Sequence, residues 1–445
     1  MNTALLLMQV AAALGAGDLH TIQYSGSGFT YVFGQSYQPG GAYPKFRLTY
    51  TRAIDFDARA SREQVTRTQF EEPPRGGGNQ PLYREVTGAT LSTDATPWGA
   101  GTVTLTPHGF VNAALANAAT VRTVRTGGRT LTVVSFTGHR GFKVEGYVNA
   151  QHLIERIDTW VQNPILGETR IETTYADYRP VAGITFPMRI VQRQGGFPTL
   201  ELTVSDVRPN ATVDIPAPAP AVPARAEGHR IADGVWYLTG APEPNSQLVE
   251  MRDYAVLIES SISEARAAAN IAEARRLVPG KPIRYHVNSH HHADHAGGLR
   301  AYVSAGITLV THEMNRRLYE RPGLATAGTV WVKDRYVLDD GSRRLEIHHV
   351  PNGHAANLLM SYLPRERLLM VTDVFNDFGE PRPNDPPPGL VSPYYAALGE
   401  RIRALKLDVE RIAPSHGRDV VPAERLRKAL EGTVQSPLRG RSGSL

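Results

Sequence analysis

Four side chains able to hold a metal ion fall within six residues, at His290, His292, Asp294 and His295. They lie in Ser289-His290-His291-His292-Ala293-Asp294-His295-Ala296-Gly297-Gly298, directly after an apolar run, Ile283–Asn288, that reads as a buried strand. In extended backbone, side chains at spacing two point the same way, so His290 and His292 share a face. The turn that follows brings Asp294 and His295 round to a second position, and Gly297 and Gly298 allow close packing where the next helix starts. Three imidazoles and a carboxylate are more donors than one tetrahedral ion with an open position needs, so the pattern points to two metals. An incidental histidine tract lacks both the interleaved carboxylate and the preceding buried strand. The chain has no cysteine, which removes disulfides, thiolate-bound zinc, iron–sulfur clusters and a thiol nucleophile. It also has no Gly-x-Ser-x-Gly elbow. Two Zn2+ per chain are therefore expected on His and Asp donors, which suit iron or manganese as well. Paired divalent ions bring a bridging water towards neutral pKa, so the chemistry is hydrolysis by hydroxide, and Asp294 is the catalytic residue expected to hold the proton.

The His-x-His-x-Asp-His motif and its glycine pair resemble the signature of the metallo-β-lactamase-fold hydrolases. That resemblance runs from about residue 228 to 435. It calls for three more ligands at strand ends. Pro351-Asn352-Gly353-His354 matches the third histidine, Leu368-Leu369-Met370-Val371-Thr372-Asp373 the bridging aspartate, and Ile412-Ala413-Pro414-Ser415-His416-Gly417 the last histidine; Asn357 matches an Asn often found after the third histidine. The resemblance implies one metal on His290, His292 and His354, and a second on Asp294, His295 and His416, with Asp373 bridging. It also implies an αββα sandwich: two mixed sheets face to face, helices outside, metals at one edge. His291 falls at a variable position and is expected to point away. His286, His348 and His349 are read as outer partners or structural residues, and Glu259, where many relatives carry Asp, as an outer partner of a ligand.

Departures from the subgroups of that family narrow the substrate. Asp373 stands where true β-lactamases of the fold generally lack an aspartate, so β-lactam hydrolysis is expected as a side activity at most. Only 29 residues follow His416, too few for the glutathione-binding region of glyoxalase-II-type thioesterases. Asn376 occupies the place of a Tyr common in acyl-homoserine lactonases. The family's nucleases carry clamping insertions, and its flavodiiron oxidoreductases replace the second histidine with Glu, whereas His292 is present. The leading expectation is a carboxylic ester or lactone as substrate; a phosphoester or phosphotriester is the alternative. A mono-iron sulfur dioxygenase and a non-catalytic binding protein are the readings outside the class, and the full set of seven ligands argues against the last. The segment Asn376–Pro393 carries prolines at 381, 383, 386, 387, 388 and 393, which predict a stiff loop over the site. Phe375, Asn376, Phe378, Tyr394 and Tyr395 are the substrate-pocket candidates.

These residues need elements to position them. Gly234–Thr239 and Leu248–Glu259 read as strands and Ser263–Leu277 as an Ala-rich helix, giving a catalytic α/β domain over 228–436. Residues 215–227, built around Ile215-Pro-Ala-Pro-Ala-Pro-Ala-Val-Pro-Ala224, favour extended polyproline backbone and form a linker. Before it, 20–214 alternates short apolar strands with Gly-, Pro- and Asn-containing turns, the signature of a mainly antiparallel sheet. One helix is expected near Val111–Thr120. His108, His139 and His152 are scattered and read as structural. A turn at Gly146-Tyr147 and the run Tyr178–Pro187 make this half similar to the half-barrel of LolA-type lipoprotein carriers, which implies a site for apolar ligands. Residues 1–19 read either as a signal-peptide remnant or as a first helix, with Leu6, Leu7, Val10, Ala11 and Leu14 at helical spacing. Residues 437–445 form a tail.

At 445 residues the chain is long enough for two domains. Of its net charge of +5, the last 25 residues contribute +3, leaving no concentrated basic face for nucleic acid. No apolar run is long enough for a transmembrane span, so the expected partner is a small-molecule substrate. Absent cysteines agree with an oxidising compartment; the expected location is periplasmic or secreted, with the cytoplasm as the alternative.

Overall fold

The computed structural model describes residues 2–93, 99–138, 141–259, 261–320, 324–380 and 382–434. His139, Pro381 and the tail at 437–445 lie outside them. Helix α1 (Thr3–Leu14) is capped by Asn2, whose side chain accepts from Ala4 N at 3.0 Å, and ends at Gly15 with φ 67°. Its Leu6, Leu7, Val10 and Leu14 are buried.

Eleven strands between Thr21 and Pro209 form one sheet. Four hairpin-linked strands run from Thr21–Tyr31 to one edge at Val86–Ser92. The chain then crosses through α2 (Gly99–Thr104) and α3 (Pro107–Ala116) to the other edge at Thr120–Thr126. From there it meanders back until Phe197–Pro209 pairs antiparallel with the first strand, Ile22 opposite Pro209. At about 4.8 Å per strand a flat sheet this wide spans nearly 50 Å. Residues from nearly every strand nonetheless join one apolar cluster with α1 and α3, so the sheet curls around its helices. The helix near Val111–Thr120 begins earlier, at Pro107, because Thr106 caps it and Pro107 fits its first turn; Thr120 starts a strand instead. Gly146 and Tyr147 are not a turn but lie inside the strand Lys143–Val148. A Cβ at Gly146 would meet the Phe110 ring at 2.3 Å, so that glycine serves helix packing rather than chain reversal. Side chains of α1 and α3 fill the apolar face of the sheet.

The carboxyl-terminal domain is a mixed α/β sandwich. Its seven-stranded sheet runs Arg225–Ala232, Val235–Ala241, Ser246–Glu250, Ala255–Ile258, Ile283–Val287, Thr308–His312, Val330–Val332, antiparallel in the first half and parallel in the second. The six-stranded sheet begins at Arg335–Asp339 and ends at Val421–Pro422. Tyr237, Val256, Val287 and Val310 from one sheet pack against Leu345, Ile347, Leu363 and Met370 from the other. Helices α4 (Glu264–Leu277), α5 (Ala293–Ala296), α6 (Leu299–Ser304) and α7 (Arg316–Tyr319) follow the first sheet's strands; α8 (Pro393–Leu405) and α9 (Glu424–Ala429) cover the second. Two boundaries differ from the sequence reading. Arg225 already starts a strand, because pairing with Ala241 overrides the Pro-Ala linker's extended bias. Leu248–Glu259 is two antiparallel strands, since Arg252 and Asp253 reverse the chain between Glu250 and Ala255. Among the described residues no helix is long and apolar enough to cross a membrane.

Candidate metal centre

Strand ends of both sheets meet at one edge. Ile283–Val287 delivers His290 and His292, α5 carries Asp294 and His295, and the loop after Arg344–His349 carries His354. Asp373 follows Leu368–Val371 and His416 follows Arg411–Pro414. Ligand atoms of His290, His292 and His354 lie within 4.8 Å of one another, as do those of His290, His295 and Asp373, and those of Asp294, His295 and His416. Nε2 of His290 and of His354 face each other at 3.3 Å, and Nε2 of His295 and of His416 at 3.0 Å. Between the two pairs, Asp373 Oδ2 is 3.6 Å from His290, 3.5 Å from His354 and 2.9 Å from His295. All seven sequence-predicted ligands are thus brought together.

Four imidazoles have a second partner that leaves one ring nitrogen for the cluster. His290 Nδ1 pairs with Ser289 Oγ at 2.9 Å, and His295 Nδ1 is 3.2 Å from Glu259 Oε1. His416 Nδ1 is 3.6 Å from Glu243 Oε2. Nε2–H of His292 donates to the Ser36 carbonyl at 2.8 Å, while its Nδ1, turned to the cluster, is buried without a hydrogen-bond partner. An orphaned buried imidazole nitrogen costs free energy unless something fills it. With the cysteine-free N/O donor set, that nitrogen shows that the site fits a divalent metal.

The charges are arranged in two halves. Burial, reinforced by neighbouring imidazoles, holds His290 and His292 well below the ordinary histidine pKa, so both are neutral donors. Burial also opposes charge on His295, but Asp294, Asp373 and Glu259 outweigh it and raise its pKa. His416 is raised to about 9, where Asp373 and the hydrogen bonds that His416 donates to Asp294 and Glu243 overcome burial. Burial acts against ionisation of Asp373 and Asp294 as well, yet the surrounding imidazoles keep both far below the usual carboxylate range. In this half the carboxylates favour positive charge, as they would favour a bound cation.

The remaining candidates divide. His291 does point away: its Nε2 pairs with Ser36 Oγ at 3.0 Å and its Nδ1 with Asn357 at 2.9 Å. His286 stacks on Tyr302 at 3.7 Å, His348 pairs with Glu346, and His349 Nε2–H donates to Ala356 O, so none of the three reaches a cluster ligand. A cavity of about 370 Å³ opens over Asp294, His354, Asp373 and His416, and of the pocket candidates only Asn376 and Phe378 line it. Phe375 is 2% exposed and, with Tyr395, borders a neighbouring cavity that shares Asn376 and Phe378. Tyr394 lies on the buried side of α8, its ring against Gly353 and its hydroxyl donating to Gly76 O. The first turn of a capped helix fixes that inward direction, which proximity in sequence does not show. Sequence reasoning missed Glu243 and the residues of the amino-terminal sheet domain that touch the site. Gln35 Nε2 donates to Asp294 Oδ1 at 2.7 Å; no spacing or charge pattern marks that loop residue.

A fold of two packed mixed sheets, with paired His/Asp clusters where strands end, defines a dinuclear-metal hydrolase. Residues 240–416 match the family model described as Metallo-beta-lactamase superfamily, and the carboxyl-terminal domain belongs to that superfamily. No protein of curated function matches the chain. Among solved structures it is similar to a metallo-β-lactamase from Hirschia baltica (23% identity, 46% of this chain and 96% of that one, TM-score 0.38). It is also similar to metallo-β-lactamases from Pontibacter korlensis (19%, 46% and 97%, TM-score 0.39) and Erythrobacter litoralis (20%, 46% and 95%, TM-score 0.37).

Proposed function

We propose that the enzyme hydrolyses neutral carboxylic esters or lactones, with zinc as the metal. One ion would be held by His290, His292 and His354, the other by Asp294, His295 and His416, with Asp373 shared. When bound, the ions supply an acidified water and polarise the oxygen of the scissile group. The protein does the rest. Asp294 turns Oδ2 towards His295 and His416, at 3.3 and 3.6 Å, and lines the cavity, in place to take the proton released on attack. Asn376 lines the same cavity, and its Oδ1 is buried without a hydrogen-bond partner among the described residues.

The observation carrying the substrate class is the cavity wall. Gln35, Asn79, Gln80, Asn376 and Asn384 supply neutral amides, Phe33 and Phe378 supply aromatic faces, and Arg382 is the one Lys or Arg there among the described residues. Arg382 rests on Phe378, 3.3 Å from the ring centroid. Phosphoester sites recruit several guanidinium or ammonium groups, whereas an amide-rich wall suits an uncharged acyl group. The test is a panel of lactones, aryl esters, phosphodiesters, phosphotriesters and β-lactams with zinc-loaded enzyme. Carboxylic esters or lactones are expected to lead in kcat/KM by at least about tenfold, roughly 1.4 kcal/mol of transition-state preference. Equal turnover of a phosphoester would reject the substrate class, and two irons or manganese ions in the active protein would reject zinc.

A further inference from the structure

We infer that the amino-terminal sheet domain completes the metal centre: Gln35 is a positioning residue for Asp294, and the Ser36 carbonyl selects the tautomer of His292. This rests on the reading of those two residues as metal ligands. The loop after the first strand, from Val32, lies against α5 and the His354 loop. Ala293 N donates to Gly34 O at 3.2 Å and Ala356 N to Tyr37 O at 2.8 Å. Between those anchors Ser36 O accepts from His292 Nε2 and Gln35 Nε2 reaches Asp294 Oδ1.

Gln35 cannot turn its amide over without loss. Its Oε1 accepts from Gly78 N at 3.1 Å and its backbone O from Gly77 N at 2.9 Å, so the donating nitrogen is directed at the carboxylate. A carboxylate with Oδ1 held in this way presents Oδ2 to His295 and His416, the geometry the second ion needs. Gly77 makes the arrangement possible. A Cβ there would lie 1.8 Å from Gln35 Oε1 and 3.0 Å from His292 Cε1. Arg75-Gly76-Gly77-Gly78-Asn79 is thus a cradle for the loop that holds the ligands, joined to the catalytic domain by Gly76 N donating to Gly353 O at 2.9 Å. Groups that orient ligands from outside the coordination sphere typically carry 10–100-fold in metal affinity, and here two of them come from a different domain.

The experiment uses the full chain, wild type, Gln35→Met and Gly77→Ala, stripped of metal and checked for folding by thermal melting. Zinc is titrated in against a chromophoric chelator, and cobalt(II) absorption spectra are recorded at one and two equivalents. Gln35→Met keeps the side chain's length but neither donates nor accepts. It is expected to weaken the second metal about 10–100-fold, leave the first within about twofold, and shift only the second-equivalent spectrum. Gly77→Ala is expected to disturb both sites through Gln35 and His292, and carries the test alone should Gln35→Met not fold. Unchanged affinities and spectra overturn the inference. So does equal weakening of both metals in Gln35→Met with a lower melting temperature, the mark of a residue that merely packs the domains together. A wild-type chain that holds no second metal overturns the ligand assignment itself, a failure distinguishable from that of Gln35.

Discussion

The sharpest pH prediction lies in the amino-terminal domain, far from the metal ligands. His108, 1% exposed, sits on α3 between Phe56 and Phe186, and its Nε2–H donates to the carbonyl of Leu14 at 3.2 Å. Burial lowers its pKa from 6.5 to about 4, with the Leu14 contact pulling weakly the other way. A folded pKa below the unfolded one means that the unfolded chain binds the proton first. The neutral ring's contribution is complete above pH 6.5 and is lost as pH falls towards 4. The whole window is worth about 3 kcal/mol, and lowering the pH from 7.5 to 5 removes about 2 kcal/mol of it. His108→Gln keeps a donor near the Nε2 position and removes the titration. It is expected to lie within about 1 kcal/mol of wild type at pH 7.5 and to exceed it by about 1–2 kcal/mol at pH 5. Hydrogen exchange of the peptides covering α1 and α3, read at both pH values on metal-free protein, isolates this domain from the other. Parallel pH dependences for the two proteins would show that His108 does not set the acid sensitivity of this domain.

Three further outcomes follow from the site. Asp373→Ala removes the carboxylate lying between both histidine pairs and is expected to abolish turnover and lower metal content below two per chain, read by elemental analysis on folded protein; undiminished activity contradicts the shared-ligand role. Glu259→Ala strips the partner from His295 Nδ1 and is expected to weaken zinc about 10–100-fold, whereas Glu259→Gln, which still accepts, loses less; chelator competition ranks the three. Dialysis against a strong chelator is expected to remove activity and lower the melting temperature of the catalytic domain, with zinc restoring both; activity that survives metal removal rules out metal-assisted hydrolysis.

The metal ligands were legible because their chemistry is local. His-x-His-x-Asp-His puts its information into six consecutive residues, and the strands before His354, Asp373 and His416 announce themselves by apolar runs. The pocket was less legible. Tyr394 and Phe378 are equally aromatic and lie close in sequence, yet one packs on α8's inner face with its ring against His354 and the other lines the cavity over the ligands. The direction of Tyr394 depends on the cap at Ser392 and on the room that Gly353 leaves for its ring, not on composition. Glu259 was legible in place but not in conformation: at φ 69° it leaves its strand in the left-handed region, and that turn brings its carboxylate to His295. Gln35 carried no signal, because its role exists only once two domains meet.

That meeting divides the labour at the site. The ligands all come from the carboxyl-terminal domain, whereas Val32, Phe33, Gln35, Gly78, Asn79 and Gln80 build one side of the substrate cavity from the amino-terminal one. Metal binding and substrate choice should therefore separate under mutation at Phe33, though not at Gln35, which serves both. Phe33 touches the cavity but hydrogen-bonds no ligand through its side chain, so Phe33→Ala removes apolar wall without altering a donor. Losing most of a phenyl contact is worth about 1–3 kcal/mol when substrate covers it, or roughly 5–150-fold in kcat/KM. Zinc affinity is expected to stay within about twofold, since no partner of His290, His292 or Asp294 has changed. Kinetics on the best substrate together with chelator competition on the same preparation decide the matter. A variant that loses zinc and activity in parallel shows that the loop acts through the metals alone, and the amino-terminal domain would then have no part in selecting the substrate.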